Sequence, residues 1–344
     1  MQMLKKITLI CVLVFSVLVA GASEPEFKMI NALNYHKSMF AASQADVYLK
    51  IPFGKELANV GGCNEDPDVT SEGVPWAFRM VDGGKVWVLD SLNGLLKLFT
   101  PDGKVERSVS LTDFGQVVKD FAVAPDGSFT FLNAVTGYVY QAGADGKRIS
   151  EIEGFNSANS IEFSPNGDLL IDHPIMQAIL RFGSNGEIKE QYVCDETLSL
   201  YGDASGTLIG LKIHERLAEL YLRTVASPAT QVVLASFPYT EEHEGVRYVG
   251  GKILGKDAAG NIYLNLVACD NNGNIYRDRL YRCSNEGKNL GELDVLTVPF
   301  LAPDLPRKRV VCPDGRIMGY YTDDKNYVLC VYSIPKVVAA DSKQ

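Results

Sequence analysis

Between Val74 and Leu111 the apolar positions fall into short runs separated by polar breaks. Val74–Val81, Val86–Asp90, Leu95–Thr100 and Val105–Leu111 are rich in β-branched and aromatic residues. The first and last breaks between them, Asp82-Gly83-Gly84-Lys85 and Pro101-Asp102-Gly103-Lys104, are Asp-Gly turns. Runs of that composition punctuated by Asp-Gly read as successive antiparallel hairpins. Apolar residues also stand at consecutive positions, as in Val86-Trp87-Val88-Leu89, which is the pattern of a strand packed on both faces. One four-stranded sheet cannot bury both of its faces, so this unit requires stacked copies of itself.

The copies follow in order. A second unit starts at Phe121 and turns at Pro125-Asp126-Gly127, and a third starts at Ile161 and turns at Pro165-Asn166-Gly167. The fourth and fifth are less regular, with first turns at Asp203–Gly206 and Asp257–Gly260. The sixth turns at Pro313-Asp314-Gly315 and has three strands before the chain ends. Glycines of the first turn stand at 84, 127, 167, 206, 260 and 315, a period of about 40 residues that stretches to about 55 at the end. Six four-stranded units at this period predict an all-β fold, a six-bladed β-propeller of antiparallel blades. The incomplete last unit and the isolated apolar run Val47–Ile51 complement each other. The N-terminal strand is expected to become the missing outer strand of blade six and close the ring. A β-sandwich does not predict the same turn at the same place in every unit. The expected organisation is a leader over 1–22, a lead-in over 23–46, the propeller over 47–335 and a tail over 336–344.

The stretch Ala77–Asp82, Val86–Asp90-Ser91-Leu92-Asn93, Leu96–Phe99 and Asp102-Gly103-Lys104 resembles the NHL repeat. Units two and three keep most of this pattern, and units four to six keep chiefly its turns. Ile51-Pro52-Phe53-Gly54-Lys55 is similar to the lead-in of exported six-bladed propeller proteins of bacteria. The resemblance, over roughly 47–335, implies the propeller fold. For function it implies only a range, from ligand- and protein-binding modules and sensor ectodomains to metal-dependent lactonases and lyases.

The N-terminus adds a location. Lys5-Lys6, an apolar run from Ile7 to Ala20 and the small residues Ala20-Gly21-Ala22 have the three parts of a secretory signal peptide. The apolar run is shorter than a membrane span requires, so the mature chain is expected to be exported, periplasmic or secreted, with no membrane span. The chain carries a net charge of −9, and loss of Lys5 and Lys6 with the leader makes it −11. Acidic and basic residues are interspersed, which argues against a nucleic-acid partner. Arg307-Lys308-Arg309, the one short basic run, reads as a solvated loop. Six cysteines remain after Cys11 is removed: Cys63, Cys194, Cys269, Cys283, Cys312 and Cys330. They allow three disulfides, but a chain this long buries a core without staples, so buried free thiols fit equally. No C-x-x-C, H-E-x-x-H, G-x-S-x-G or P-loop is present, which disfavours zinc ribbons, acyl-enzyme hydrolases and nucleotide enzymes.

In a propeller the loops between second and third strands, and those between blades, gather on one face around the channel. On that face the sequence offers Asp90, Asn133, Asp172, His173, His214, Glu215, Arg216, Asp270 and Asp323 as candidate ligand-binding residues. Asp90 and Asp172 occupy the recurring Asp of the repeat, where a carboxylate caps its loop by accepting backbone N–H bonds. His173 and the His214-Glu215-Arg216 triplet depart from the repeat and are the more informative positions. Asp270-Asn271-Asn272-Gly273-Asn274 fails as a calcium loop, since Gly273 falls at the fourth position rather than the sixth and Tyr281 stands at the twelfth in place of Glu. The leading expectation is a non-catalytic module that binds a protein or small ligand on the channel face. The alternative is a metal-dependent hydrolase, lactonase or lyase, with calcium or zinc held around the channel by candidates Asp172, His173, His214 or neighbouring carboxylates. A third is a component of a cell-envelope assembly.

Overall fold

The computed structural model describes residues 45–62, 74–115, 117–133, 135–164, 166–173, 178–183, 186–193, 199–202, 208–223, 231–239, 245–271, 275–295, 309–323 and 325–335. The leader, nearly all of the lead-in, the C-terminal tail, Cys63, Cys194, Arg307 and Lys308 lie outside them, as do the first turn of unit four and Asn272–Asn274.

The strands form six four-stranded antiparallel sheets. Blade one is β2 (Phe78–Met80), β3 (Val86–Asp90), β4 (Leu95–Phe99) and β5 (Val105–Ser110), paired in that order. Blade two is β6 (Val118–Val123), β7 (Phe129–Asn133), β8 (Val139–Ala142) and β9 (Arg148–Ile152). Blade three is β10 (Ser160–Phe163), β11 (Leu169–His173), β12 (Ala178–Phe182) and β13 (Ile188–Val193). Blade four is β14 (Ser199–Gly202), β15 (Leu208–Ile213), β16 (Leu217–Arg223) and β17 (Gln231–Pro238). Blade five is β18 (Arg247–Lys256), β19 (Ile262–Cys269), β20 (Ile275–Cys283) and β21 (Asn289–Val295). Blade six combines β22 (Arg309–Val311), β23 (Ile317–Thr322) and β24 (Asn326–Tyr332) with β1 (Ala45–Pro52) from the other end of the chain.

The hairpin turns work as the Asp-Gly signals require. Gly127 and Gly146 sit at φ 83° and 84°, a left-handed conformation that costs glycine nothing and costs other residues a steric clash. β1 runs antiparallel to β24, from Ala45 opposite Tyr332 to Pro52 opposite Asn326. The outer strand of the last blade is therefore the first strand of the propeller, as the orphan strand predicts.

Each of the six junctions between neighbouring blades holds an apolar cluster. Trp87, Leu89 and Leu96 of blade one meet Phe121, Phe129 and Phe131 of blade two. Trp87 stacks edge-on against Phe129 at 5.3 Å, a core role rather than an exposed platform. Leu132 and Val139 meet Ile161, Ile171 and Leu180, Leu170 and Ile179 meet Leu208, and Leu211 and Leu220 meet Ile253 and Leu264. Tyr263 and Leu280 meet Ile317 and Cys330. At the closing junction Leu49, Ile51 and Leu329 pack on Phe78, Val86 and Val88. The apolar ring is continuous, so the strands are buried on both faces, as their unbroken apolar runs demand.

The stretched spacing between Gly206 and Gly260 has a physical origin in strand length. β18 has 10 residues where β2 has 3, and it begins at Arg247, which therefore belongs to the innermost strand of blade five.

Candidate functional site

Asp90 ends β3, and its buried carboxylate is fully used inside the fold. Oδ1 accepts the Gly61 N–H at 2.9 Å and the Asn93 N–H at 3.4 Å, while Oδ2 accepts the Asn93 amide and the Lys97 ammonium, both at 2.8 Å. Lys97, also buried, donates to the Asn59 carbonyl at 2.7 Å. Asn93 donates to the Gly54 carbonyl at 2.9 Å. The loop that follows the closing strand β1 is thereby fastened to blade one by three polar side chains.

Asn133, at the same place in blade two, is buried too. Its carbonyl oxygen accepts the Val135 and Thr136 N–H groups, each at 2.9 Å, and its amide donates to the Phe114 carbonyl at 2.9 Å. In blade six Asp323 accepts the Lys325 N–H at 3.0 Å, the Asn326 amide at 2.6 Å and the Lys50 ammonium at 2.9 Å. Partial burial alone would raise its pKa, but these donors outweigh it and draw it down to about 2. In each case the side chain closes its own loop, which is the capping role of short polar residues at turns.

Asp172 and His173 both belong to β11. Asp172 is half-buried and accepts the Asn159 amide at 3.4 Å, and His173 is buried. Asp270 follows β19 and is half-buried. Together with burial, its charge pushes up the pKa of the neighbouring Cys269 thiol.

The triplet of blade four behaves differently. Its backbone is bound into the scaffold, with the Arg216 carbonyl accepting from Tyr239 N–H at 2.9 Å and the Glu215 carbonyl from Tyr248 N–H at 2.8 Å. Its side chains reach outward. The Glu215 side chain is 79% exposed and 3.5 Å from Arg247, which is 54% exposed. His214 lies 3.6 Å from Glu219, and the Arg216 guanidinium lies over the Tyr239 ring at 5.9 Å. Val249, two residues along β18 from Arg247, is half exposed. The blade four loop and the start of β18 thus form one outward-facing sector that carries both charges and an apolar side chain. Among the described residues no group of three or more His, Cys, Asp or Glu side chains is close enough together to hold a metal ion.

Two charged networks escape a reading of loops alone because their members lie within strands. Arg79 of β2 donates from Nε to the Phe121 carbonyl of β6 at 2.6 Å. From its other nitrogens it donates to the Ile161 carbonyl of β10 at 2.8 Å and to both oxygens of Glu162, at 2.8 and 3.0 Å. Buried Asp120 of β6 accepts the Ile161 N–H at 2.9 Å. The innermost strands of blades one, two and three are therefore tied by side chains that serve backbone groups left unpaired at the channel edge. Arg309 of β22 makes a second network, with two bonds to Asp278 at 2.9 and 2.8 Å and one to Asn265 at 2.8 Å. The reading of Arg309 as part of a solvated basic loop is corrected by this geometry. Burial opposes its charge, but the paired Asp278 carboxylate holds the guanidinium protonated. A charged residue in the middle of an apolar run was the available signal at Arg79, between Phe78 and Met80, whereas Arg309 stands at the end of a basic run and carried no such signal.

The chain matches no protein-family model and no curated protein. Among solved structures it is similar to a member of the DUF4221 family from Bacteroides vulgatus, at 9% identity and a TM-score of 0.53, over 85% of this chain and 98% of that one. It is also similar to a virginiamycin B lyase from Staphylococcus aureus, at 15% identity and a TM-score of 0.46, over 76% and 95%. A protein of unknown function from Bacteroides caccae aligns at 14% identity and a TM-score of 0.43, over 64% and 81%. At these identities the likeness is one of fold.

Proposed function

We propose that this chain is an exported binding module of NHL-like propeller form that takes a protein or small-molecule ligand on its channel face and performs no chemistry of its own. The observation that carries the reading is the division of labour among the loops. The recurring polar residues Asp90, Asn133 and Asp323 spend their hydrogen bonds on their own loops, whereas the Glu215 and Arg247 side chains are exposed beside Val249 and meet only each other, at 3.5 Å, among the described residues. Charge of both signs next to an exposed apolar side chain is the mixed chemistry of a recognition patch. The basic start, apolar run and Ala20-Gly21-Ala22 of the N-terminus support export. No helix among the described residues is long and apolar enough to cross a membrane.

The test is capture of the ligand from the periplasmic or secreted fraction on immobilised wild-type protein and on a Glu215→Arg, Arg247→Glu double variant. Specific capture by the wild type that the variant loses supports the patch as the site. Equal capture by both moves the site elsewhere on the face. Elemental analysis of the same preparation, made without chelator, addresses the competing metalloenzyme. About one equivalent of calcium or zinc that vanishes in a His173→Ala, His214→Ala variant overturns the non-catalytic reading in favour of a hydrolase or lyase.

A further inference from the structure

Lys97 is the one buried lysine among the described residues, its side chain 0% exposed beside an Asp90 side chain at 1%. It stands in β4 with Leu96, Leu98 and Phe99 buried around it, and it reaches from its register partner Val88 diagonally to Asp90. An ammonium brings three N–H donors. Here it finds two acceptors among the described residues, Asp90 Oδ2 at 2.8 Å and the Asn59 carbonyl at 2.7 Å. A buried ion pair repays its desolvation only when its remaining protons and lone pairs are satisfied, so the third proton is a standing cost. A secondary amide in the same place has no such surplus. Its single N–H would keep the Asn59 carbonyl, and its carbonyl oxygen would keep the Gly61 and Asn93 N–H groups that Asp90 Oδ1 now accepts at 2.9 and 3.4 Å. The Asn93 amide would keep the Gly54 carbonyl at 2.9 Å. The donors and acceptors gathered here therefore fit an amide better than they fit two ions. The pair is also not part of the repeat: in blade two the matching residues are Asn133 and Tyr140, with Tyr140 opposite Phe131 as Lys97 is opposite Val88.

We propose that Lys97 and Asp90 condense after folding into an isopeptide bond within the chain. A proton first passes from Nζ to Oδ2 along their 2.8 Å hydrogen bond. That leaves an amine and a carboxylic acid, the uncharged forms that exclusion of water favours. The Nζ lone pair then attacks Asp90 Cγ, and the charge that develops on Oδ1 lies between the Gly61 and Asn93 N–H groups, in the manner of an oxyanion hole. A second Nζ proton moves to Oδ2, the Cγ–Oδ2 bond breaks and Oδ2 departs as water. One N–C bond forms, one C–O bond is lost and nothing is oxidised or reduced. No other reactant is required, because the fold itself holds the two groups in contact. The Gly61 N–H and the Asn59 carbonyl both come from the segment after β1, so the bond forms once that strand has closed the ring and makes the closure permanent.

Mass spectrometry of the denatured full chain, followed by trypsin mapping, tests the proposal. The expected mass is that of the sequence less one water. Acylated Lys97 is no longer a trypsin site, so the expected peptide runs uncut from Val86 to Lys104 and is lighter by one water. Lys97→Arg keeps a cation but lacks the primary amine, and it should carry its full mass. Asp90→Asn offers ammonia in place of water as the leaving group, and its expected loss is one ammonia. The wild-type measurement decides the matter even if neither variant folds. Wild type of full mass that trypsin cuts after Lys97 overturns the proposal. So does a loss of water that maps outside Val86–Lys104, or one that Lys97→Arg retains.

Discussion

The Lys97 ammonium donates to the Asp90 carboxylate at 2.8 Å, and both side chains are sealed from solvent. The two come from adjacent strands of blade one, yet what they gather is the segment that follows the closing strand. The Asp90 carboxylate takes the Gly61 N–H and the Lys97 ammonium takes the Asn59 carbonyl as their further partners. The ring is therefore closed twice, by strand pairing of β1 with β24 and by a buried ion pair that holds the loop after β1.

Removal of one partner from that pair should be expensive. Lys97→Met leaves a carboxylate buried without its cation and should cost about 3–5 kcal/mol, read as a lowered midpoint in urea denaturation. Lys97→Met with Asp90→Asn removes the stranded charge and should recover part of the loss. A single variant that unfolds at the wild-type midpoint would show that the pair contributes nothing to closure.

Blade count, strand order and closure by the first strand are legible in the sequence because hairpin turns and apolar runs are local signals that repeat. The deviations come from long-range packing, which single runs do not encode. β18 grew at its start because Tyr248 pairs with the Glu215 loop of the preceding blade, a partner 33 positions away. At the site, recurrence with the repeat marked Asp90 as a cap, and the triplet His214-Glu215-Arg216 stood out because it broke the repeat. Arg79, Glu162 and Arg309 were not legible as a group, since their partners lie on other blades.

Arg79 joins three innermost strands through one guanidinium, and the planar fork is what allows it. Arg79→Met should expose the Phe121 and Ile161 carbonyls and the Glu162 carboxylate to the loss of their donor, at about 1–3 kcal/mol. Arg79→Lys should recover little, because one compact ammonium cannot reach three acceptors that the fork meets with separate nitrogens. Chemical denaturation of the two variants beside the wild type checks this. A fully rescued lysine variant would reduce the interaction to charge alone.

The described thiols should be inert in the folded protein. Cys269, Cys283, Cys312 and Cys330 are buried and unpaired, and burial lifts Cys283 and Cys312 to about 12 and Cys330 to about 11. Reaction needs the thiolate, so iodoacetamide at pH 8 followed by peptide mapping should leave these three unlabelled until guanidinium is added. Because their folded pKa values lie above the unfolded ones, the stability they contribute is present below about pH 9 and is lost as pH climbs through 11 to 12. A disulfide-linked peptide containing any of the three would refute the expectation.

Asp323 gives the acid side of the same linkage. Its carboxylate closes the β23–β24 turn and meets Lys50 of β1 at 2.9 Å, so it ties the closing strand to the blade that the strand completes. Burial would raise its pKa, but Lys50, the Lys325 N–H and Asn326 hold it near 2, below the ordinary value of 3.8. A depressed folded pKa means that this stabilisation is complete above pH 4 and is lost as pH falls through about 2. Thermal melts between pH 7 and pH 2 should show the wild type losing stability over the lower part of that range. Asp323→Asn should start less stable at pH 7, change less on acidification and converge with the wild type near pH 2. If the two curves instead stay parallel down to pH 2, the Lys50–Asp323 contact is not what makes closure of the ring acid-sensitive.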